Sequence, residues 1–194
     1  MRANGTVSKP ISLSANTLGD VTIEMDSLEG LLIVGRHWHI KNLIFKGVKG
    51  NDSAIEHAIH VTGDADFVRI INNQFINFNS HIKVNGLPNR RGGIDFPDGL
   101  LIANNDIYNE WKRNTRSPAS PVDIVGGNNV IVKNNFIADF GKYGQKGFGV
   151  TYGAYMKGGG IGGVFDNNVV MCEWKVPHTS PMDVRIGLSF GNGG

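Results

Sequence analysis

The sequence has one cysteine, Cys172, in 194 residues, which excludes an internal disulfide framework. Cys172 sits in an apolar phrase and reads as a packed thiol rather than a nucleophile. Charge of one sign is also scarce. The 19 basic residues against 17 acidic ones leave a net charge of +2, too little to imply nucleic acid or an anionic membrane as partner, so any basic site has to be local. No apolar run reaches the roughly 18 residues of a membrane-crossing helix, and MRANGTVSKP lacks the pattern of a signal peptide. Long helix-forming runs are few. Glycine, by contrast, is abundant, with 27 residues in no G-X-Y period, which favours tight turns and β-structure. A 40% hydrophobic and 19% charged composition is that of one globular domain spanning 1–194.

Asparagine pairs recur between apolar, β-branched residues: WHIKNLIFKG, FVRIINNQFINF, LLIANNDIYNE, NNVIVKNNFIADF and GGVFDNNVVMCE. Taking the first asparagine of each gives Asn42, Asn72, Asn104, Asn134 and Asn167, spaced by 30, 32, 30 and 33 residues. Such spacing marks a structural repeat. A second phrase precedes each: LLIVG, IHVTG, IKVNG, VDIVG and AYMKG. Apolar residues alternate in both, which is strand grammar. One coil then consists of a short strand, a glycine corner, a second strand ending at the asparagines, an apolar pair and a loop. Stacked coils make an all-β parallel β-helix of about five to six coils, with 1–30 as the entry coil and 31–194 as the repeats. The asparagines read as architectural, because an amide can bond the bend and its copies above and below, and tolerates left-handed backbone. The closing RIGLSFGNGG reads as a strand and corner with nothing to cover it, so the expectation is a truncated β-helix or one that self-associates through its coil ends.

Alternation within the first phrases sends His60, Lys83, Asp123 and Tyr155 outward as a ladder, with Thr62, Asn85, Val125 and Lys157 beside it. That ladder is either a working surface or an ordinary solvated sheet face. The loops PNRRGG and NEWKRNTRSP bring Arg90, Arg91, Lys112, Arg113 and Arg116 near Trp111. Clustered cations beside an aromatic suit an acidic polysaccharide, and the bland alternative is loop solubility with Trp111 packed on the wall. Trp38 and Trp174 read as wall packing. His57 and His60 form an H-x-x-H pair that strand alternation sends to opposite faces, so no metal ligands are assigned. GGGIGG, Gly158 to Gly163, has no following Lys-Ser/Thr and reads as a corner rather than a phosphate loop. Paired carboxylates for hydrolysis would have to come from Asp95, Asp98, Asp123 and Asp183.

GTVSKPISLSANTLGDVTIEM followed by LLIVGRHWHIKNLIFKG resembles the first coils of right-handed parallel β-helix proteins of the pectate-lyase-like superfamily, nearest to the group containing chondroitinase B and alginate lyases. The resemblance implies a right-handed helix and a polysaccharide lyase cleaving uronate-containing glycans by β-elimination. YMKGGGIGGVFDNN is similar to the segment that carries the base lysine in that group, which makes Lys157 the implied base, with Arg185, Lys83 and Tyr155 assisting. His60, Asp123, Arg90, Arg91, Trp111, Arg113 and Arg116 are then the implied substrate contacts. The group also implies calcium, but VTYGAY stands where its glutamate ligands would lie, and GLSFGNGG lacks the expected arginine. The expected partner is an acidic polysaccharide, and the expected compartment is extracellular or periplasmic. The alternative is a non-catalytic carbohydrate-binding or structural module, or a fragment of a larger β-helix protein.

Overall fold

A computed structural model describes residues 1–48, 50, 52–143 and 149–191. Each coil lays down three short strands, one in each of three parallel six-stranded sheets, giving a β-solenoid of about six turns. Sheet A holds Ile11–Ser14, Trp38–Lys41, Arg69–Ile71, Leu101–Ala103, Ile131–Lys133 and Val164–Asp166. Sheet B holds Thr22–Met25, Ile44–Gly47, Gln74–Ile76, Asp106–Tyr108, Phe136–Ala138 and Val169–Met171. Sheet C holds Glu29–Ile33, His57–Thr62, Ile82–Asn85, Val122–Val125, Val150–Lys157 and Val184–Phe190. The apolar pair expected after each asparagine bend is thus part of a third strand. The one helical turn among the described residues is Asp52–Ala54.

The interior is built of in-register rows. Ile40, Ile70, Ile102 and Val132 run down sheet A, and Phe45, Phe75, Ile107 and Ile137 down sheet B. Ile33, Val61, Val84 and Ile124 run down sheet C. All are buried, each worth about 1.5–3 kcal/mol of transfer free energy. The Phe45 and Phe75 rings stack with centroids 5.0 Å apart, so equivalent residues on successive coils meet face to face.

At the bend from sheet A to sheet B the two asparagines divide the work. The first takes left-handed backbone, with φ between 49° and 60° at Asn42, Asn72, Asn104, Asn134 and Asn167, a region few residues but glycine and asparagine enter cheaply. The second turns inward. Asn73, Asn105 and Asn135 are buried, and each side-chain oxygen accepts from the coil before it, Leu43 N–H to Asn73, Asn73 N–H to Asn105 and Asn105 N–H to Asn135. Their amide nitrogens donate to Ile40, Ile70 and Ile102 carbonyls. A partial outer ladder accompanies the inner one, since Asn72 donates to Asn42 and Asn167 to Asn134, both at 2.9 Å.

Candidate functional site

Sheet C carries the side chains with chemistry. Register places Leu32, His60, Lys83, Asp123, Tyr155 and Ser189 on consecutive strands at one level, so the polar ladder from His60 to Tyr155 is continuous. Lys83 Nζ donates to Asp123 Oδ2 at 2.6 Å, and the other oxygen, Asp123 Oδ1, is buried without a hydrogen-bond partner. Tyr155 stacks on Tyr152 with ring centroids 4.5 Å apart. Burial, then Tyr152 and Asp123, push the Tyr155 phenol above its ordinary value. Lys157, two residues on, places its Nζ over the Tyr155 ring, 4.8 Å from the centroid. It also lines a cavity of about 410 Å³ with Ile124, Val130, Met156, Phe190 and the glycines of GGGIGG.

Arg185 lies elsewhere. It pairs in register with Thr151, six residues before Lys157, or about 20 Å along the strand at roughly 3.3 Å per residue. Its guanidinium is buried and committed: Nη2 meets Asp183 Oδ2 at 2.7 Å, and Nη1 donates to the Cys172 and Val176 carbonyls at 2.5 and 3.0 Å. A Cβ at residue 141 would collide with this group, which accounts for Gly141. Cys172 itself is half-buried.

The two basic loops do not form one patch. PNRRGG is the turn of an antiparallel hairpin, Leu87–Pro88 with Ile94–Asp95, leaving sheet C after Asn85. Asn89 Oδ1 ties it by accepting from Arg91 and Gly93 N–H, and Arg90 and Arg91 point into solvent. The 109–118 loop enters sheet C from the opposite edge, ahead of Val122–Val125. Arg116 is exposed there, but the expectation of an exposed cation cluster is corrected for two others. Arg113 is fully buried, with Nη1 3.0 Å from Asp52 Oδ1 and Nε donating to Asn79. Burial lowers its pKa to about 10, against the pull of Asp52. Lys112 is buried against Asp183 Oδ2 at 2.8 Å. Trp111, half-buried, donates its indole N–H to Asp52. These groups form a polar knot that fastens the loop to the wall, because a cation removed from water must meet a carboxylate.

One further expectation changes. His57 and His60 do not face apart: their rings meet edge to face with centroids 5.3 Å apart. Ala58 and Ile59 N–H both donate to the His81 carbonyl, a β-bulge that inserts a residue and resets the alternation. Tyr152 and Tyr155 show the same spacing of three. Glu29, paired in register with His57, reaches both histidines and went unnoticed in the sequence, although it holds the same place before LLIVG that His57 holds before IHVTG. The aspartates considered for hydrolysis are occupied locally. Asp98 caps Asn128 N–H, Asp95 accepts from Asn89, Asp123 holds Lys83 and Asp183 holds Arg185 and Lys112. Trp38 packs against the core. Trp174 stands edge-on to Tyr108 and Phe136 on the outside of sheet B, 45% exposed.

The family model described as Chondroitinase B matches residues 1–85, the coils that present Glu29, His57, His60 and Lys83. No curated protein and no solved structure matches the chain. The chain is thus an all-β parallel β-helix whose first 85 residues are similar to chondroitinase B. The calcium expected from the sequence resemblance does not fit at Val150 to Tyr155, which offers no carboxylate and where the stacked Tyr152 and Tyr155 rings take the stretch of strand.

Proposed function

We propose that the protein acts on an acidic polysaccharide laid along sheet C, as a lyase cleaving uronate-containing chains by β-elimination. The observation that carries the proposal is the in-register ladder His60, Lys83, Asp123, Tyr155 with Lys157 resting on Tyr155. The Lys157 amine takes the proton next to the uronate carboxylate. The freed electron pair forms the ring double bond, the bond to the glycosidic oxygen breaks, and Tyr155 returns a proton to that oxygen. Lys83, held in place by Asp123, supplies positive charge opposite the carboxylate. The exposed Arg90 and Arg91 at one edge and Arg116 at the other extend the contact along the chain. Such substrates place the protein outside the cell or in the periplasm.

A second reading is favoured by one observation. The strand beside Lys157 carries Leu188, Ser189 and Phe190, and Arg185 is locked by Asp183, so among the described residues no arginine stands next to the base. On that reading the ladder and loop arginines bind acidic glycan without turnover.

Ultraviolet absorbance of unsaturated uronate, with the purified chain and alginate, pectate, chondroitin and dermatan sulfate in turn, separates the two. Product from one of them is expected. Salt-sensitive retention on the same glycans without product would replace the lyase with the binding module.

A further inference from the structure

We infer that Glu29, His57 and His60 form a binding site for a late first-row transition dication, Zn²⁺ in the first place. One ligand atom from each lies within 4.8 Å of the other two. All three residues stand on the first two strands of sheet C, and the inference is independent of the polysaccharide reading.

The hydrogen bonds around the histidines fix where their lone pairs point. His57 Nδ1 is 3.0 Å from the Ser80 carbonyl, which can only accept, so Nδ1 carries the proton and Nε2 presents its lone pair. Nε2 is the atom that faces Glu29 Oε1, at 4.0 Å. His60 Nε2 contacts Asn85 Oδ1, and the Asn85 amide nitrogen donates to Gly86 at 3.2 Å, which orients that oxygen toward the ring. His60 Nε2 is therefore the donor. In neutral His60 the other nitrogen, Nδ1, aims a lone pair at Glu29 Oε2 from 2.9 Å.

Two acceptors that close need a cation between them. A proton on His60 would serve that one contact and leave His57 Nε2 facing the carboxylate with nothing to share. One metal ion serves all three. Two imidazoles and one carboxylate suit zinc, at about 2.0–2.2 Å from each donor, and an acceptor on the second nitrogen of each ring is the usual outer support of such sites. Hard ions that demand six or more oxygens are disfavoured. Glu29 is 46% exposed at its side chain and the histidines 16% each, so a fourth position opens to solvent on the face where His60 adjoins Lys83. The bulge at Ala58 and Ile59 is what brings the two rings to one side.

The test uses the full chain without a histidine tag, stripped with chelator and titrated with Co²⁺ as a visible-absorbing stand-in for Zn²⁺. One equivalent is expected to bind with d–d bands of a low-coordinate site, displaced by Zn²⁺ and untouched by Ca²⁺. Glu29→Gln, at an exposed position that leaves folding intact, is expected to abolish the bands. Asn85→Ala, which removes an orienting acceptor, is expected to weaken binding by about 10–100-fold. Circular dichroism confirms the fold of each variant. Absent bands in the wild type, or bands that survive both Glu29→Gln and His57→Ala, would overturn the inference.

Discussion

The bend between sheets A and B and the approach to sheet C are built from the same repeat, yet they differ in kind. At the first, successive coils offer the same residue to the equivalent carbonyl, and Asn73, Asn105 and Asn135 repeat one pattern of hydrogen bonds. At the second, each coil differs. One brings a bulge with Glu29 and two histidines, another a loop tied by Arg113 to Asp52, another the Tyr152 and Tyr155 stack. The uniform bend holds the spacing, and because it does, the other corner can vary without losing register. Scaffold and chemistry are thereby separated on one coil.

If that division is right, damage should be graded. The largest stability loss is expected for Asp52→Ala, which takes the paired carboxylate from the buried Arg113 guanidinium and removes the acceptor of Trp111 and of Asn114 N–H. A loss of about 3–5 kcal/mol in denaturant unfolding is the expected scale for breaking a buried pair. A loss below 1 kcal/mol would show that the loop is not pinned there. Next comes Asn105→Ala, which strands the Asn73 N–H and the Ile70 carbonyl in the interior. At about 1–3 kcal/mol for each buried group left alone, it should cost clearly more than Asn104→Ala. The neighbouring Asn104 contributes its φ of 56° and should cost roughly 1–2 kcal/mol, with Asn104→Gly nearer neutral. Equal losses for the two positions would contradict the division of work between them.

A smaller effect depends on pH. His81 is buried, its Nε2 3.1 Å from the Tyr108 carbonyl, and burial above all, with Arg113 adding to it, lowers its pKa to about 3. The unfolded chain takes up that proton near pH 6.5, and the folded one does not until about pH 3. Stability from His81 is thus complete above pH 6.5 and lost as pH falls toward 3, at about 1.4 kcal/mol per pH unit. His57, lowered in the same direction, adds to the slope. Urea midpoints between pH 7 and 5 should therefore fall less steeply in His81→Gln than in the wild type, and identical slopes would remove His81 from the account.

Much of this was legible before any coordinates. The asparagine spacing located the five coils after the first, and simple alternation put His60, Lys83, Asp123 and Tyr155 on one ladder because the strands there follow a period of two. The same rule failed three residues earlier. A bulge depends on two N–H groups sharing the His81 carbonyl, a contact between coils that no local pattern announces. The fate of Arg113 was equally hidden, because its carboxylate lies 61 positions earlier at Asp52, and charge in a loop looks the same whether a partner waits or not. Arg185 shows the same limit through Asp183 and the carbonyls around it.

The account centres on Lys157 as the base on the sheet C ladder, and turnover of the acidic glycan by Lys157→Ala, beside the wild type at matched fold, tests it most directly. The expected result is a fall of about 10²–10⁴-fold in kcat, with KM little changed and glycan binding retained. Full turnover in Lys157→Ala would contradict the account and send the search for the base elsewhere along the ladder.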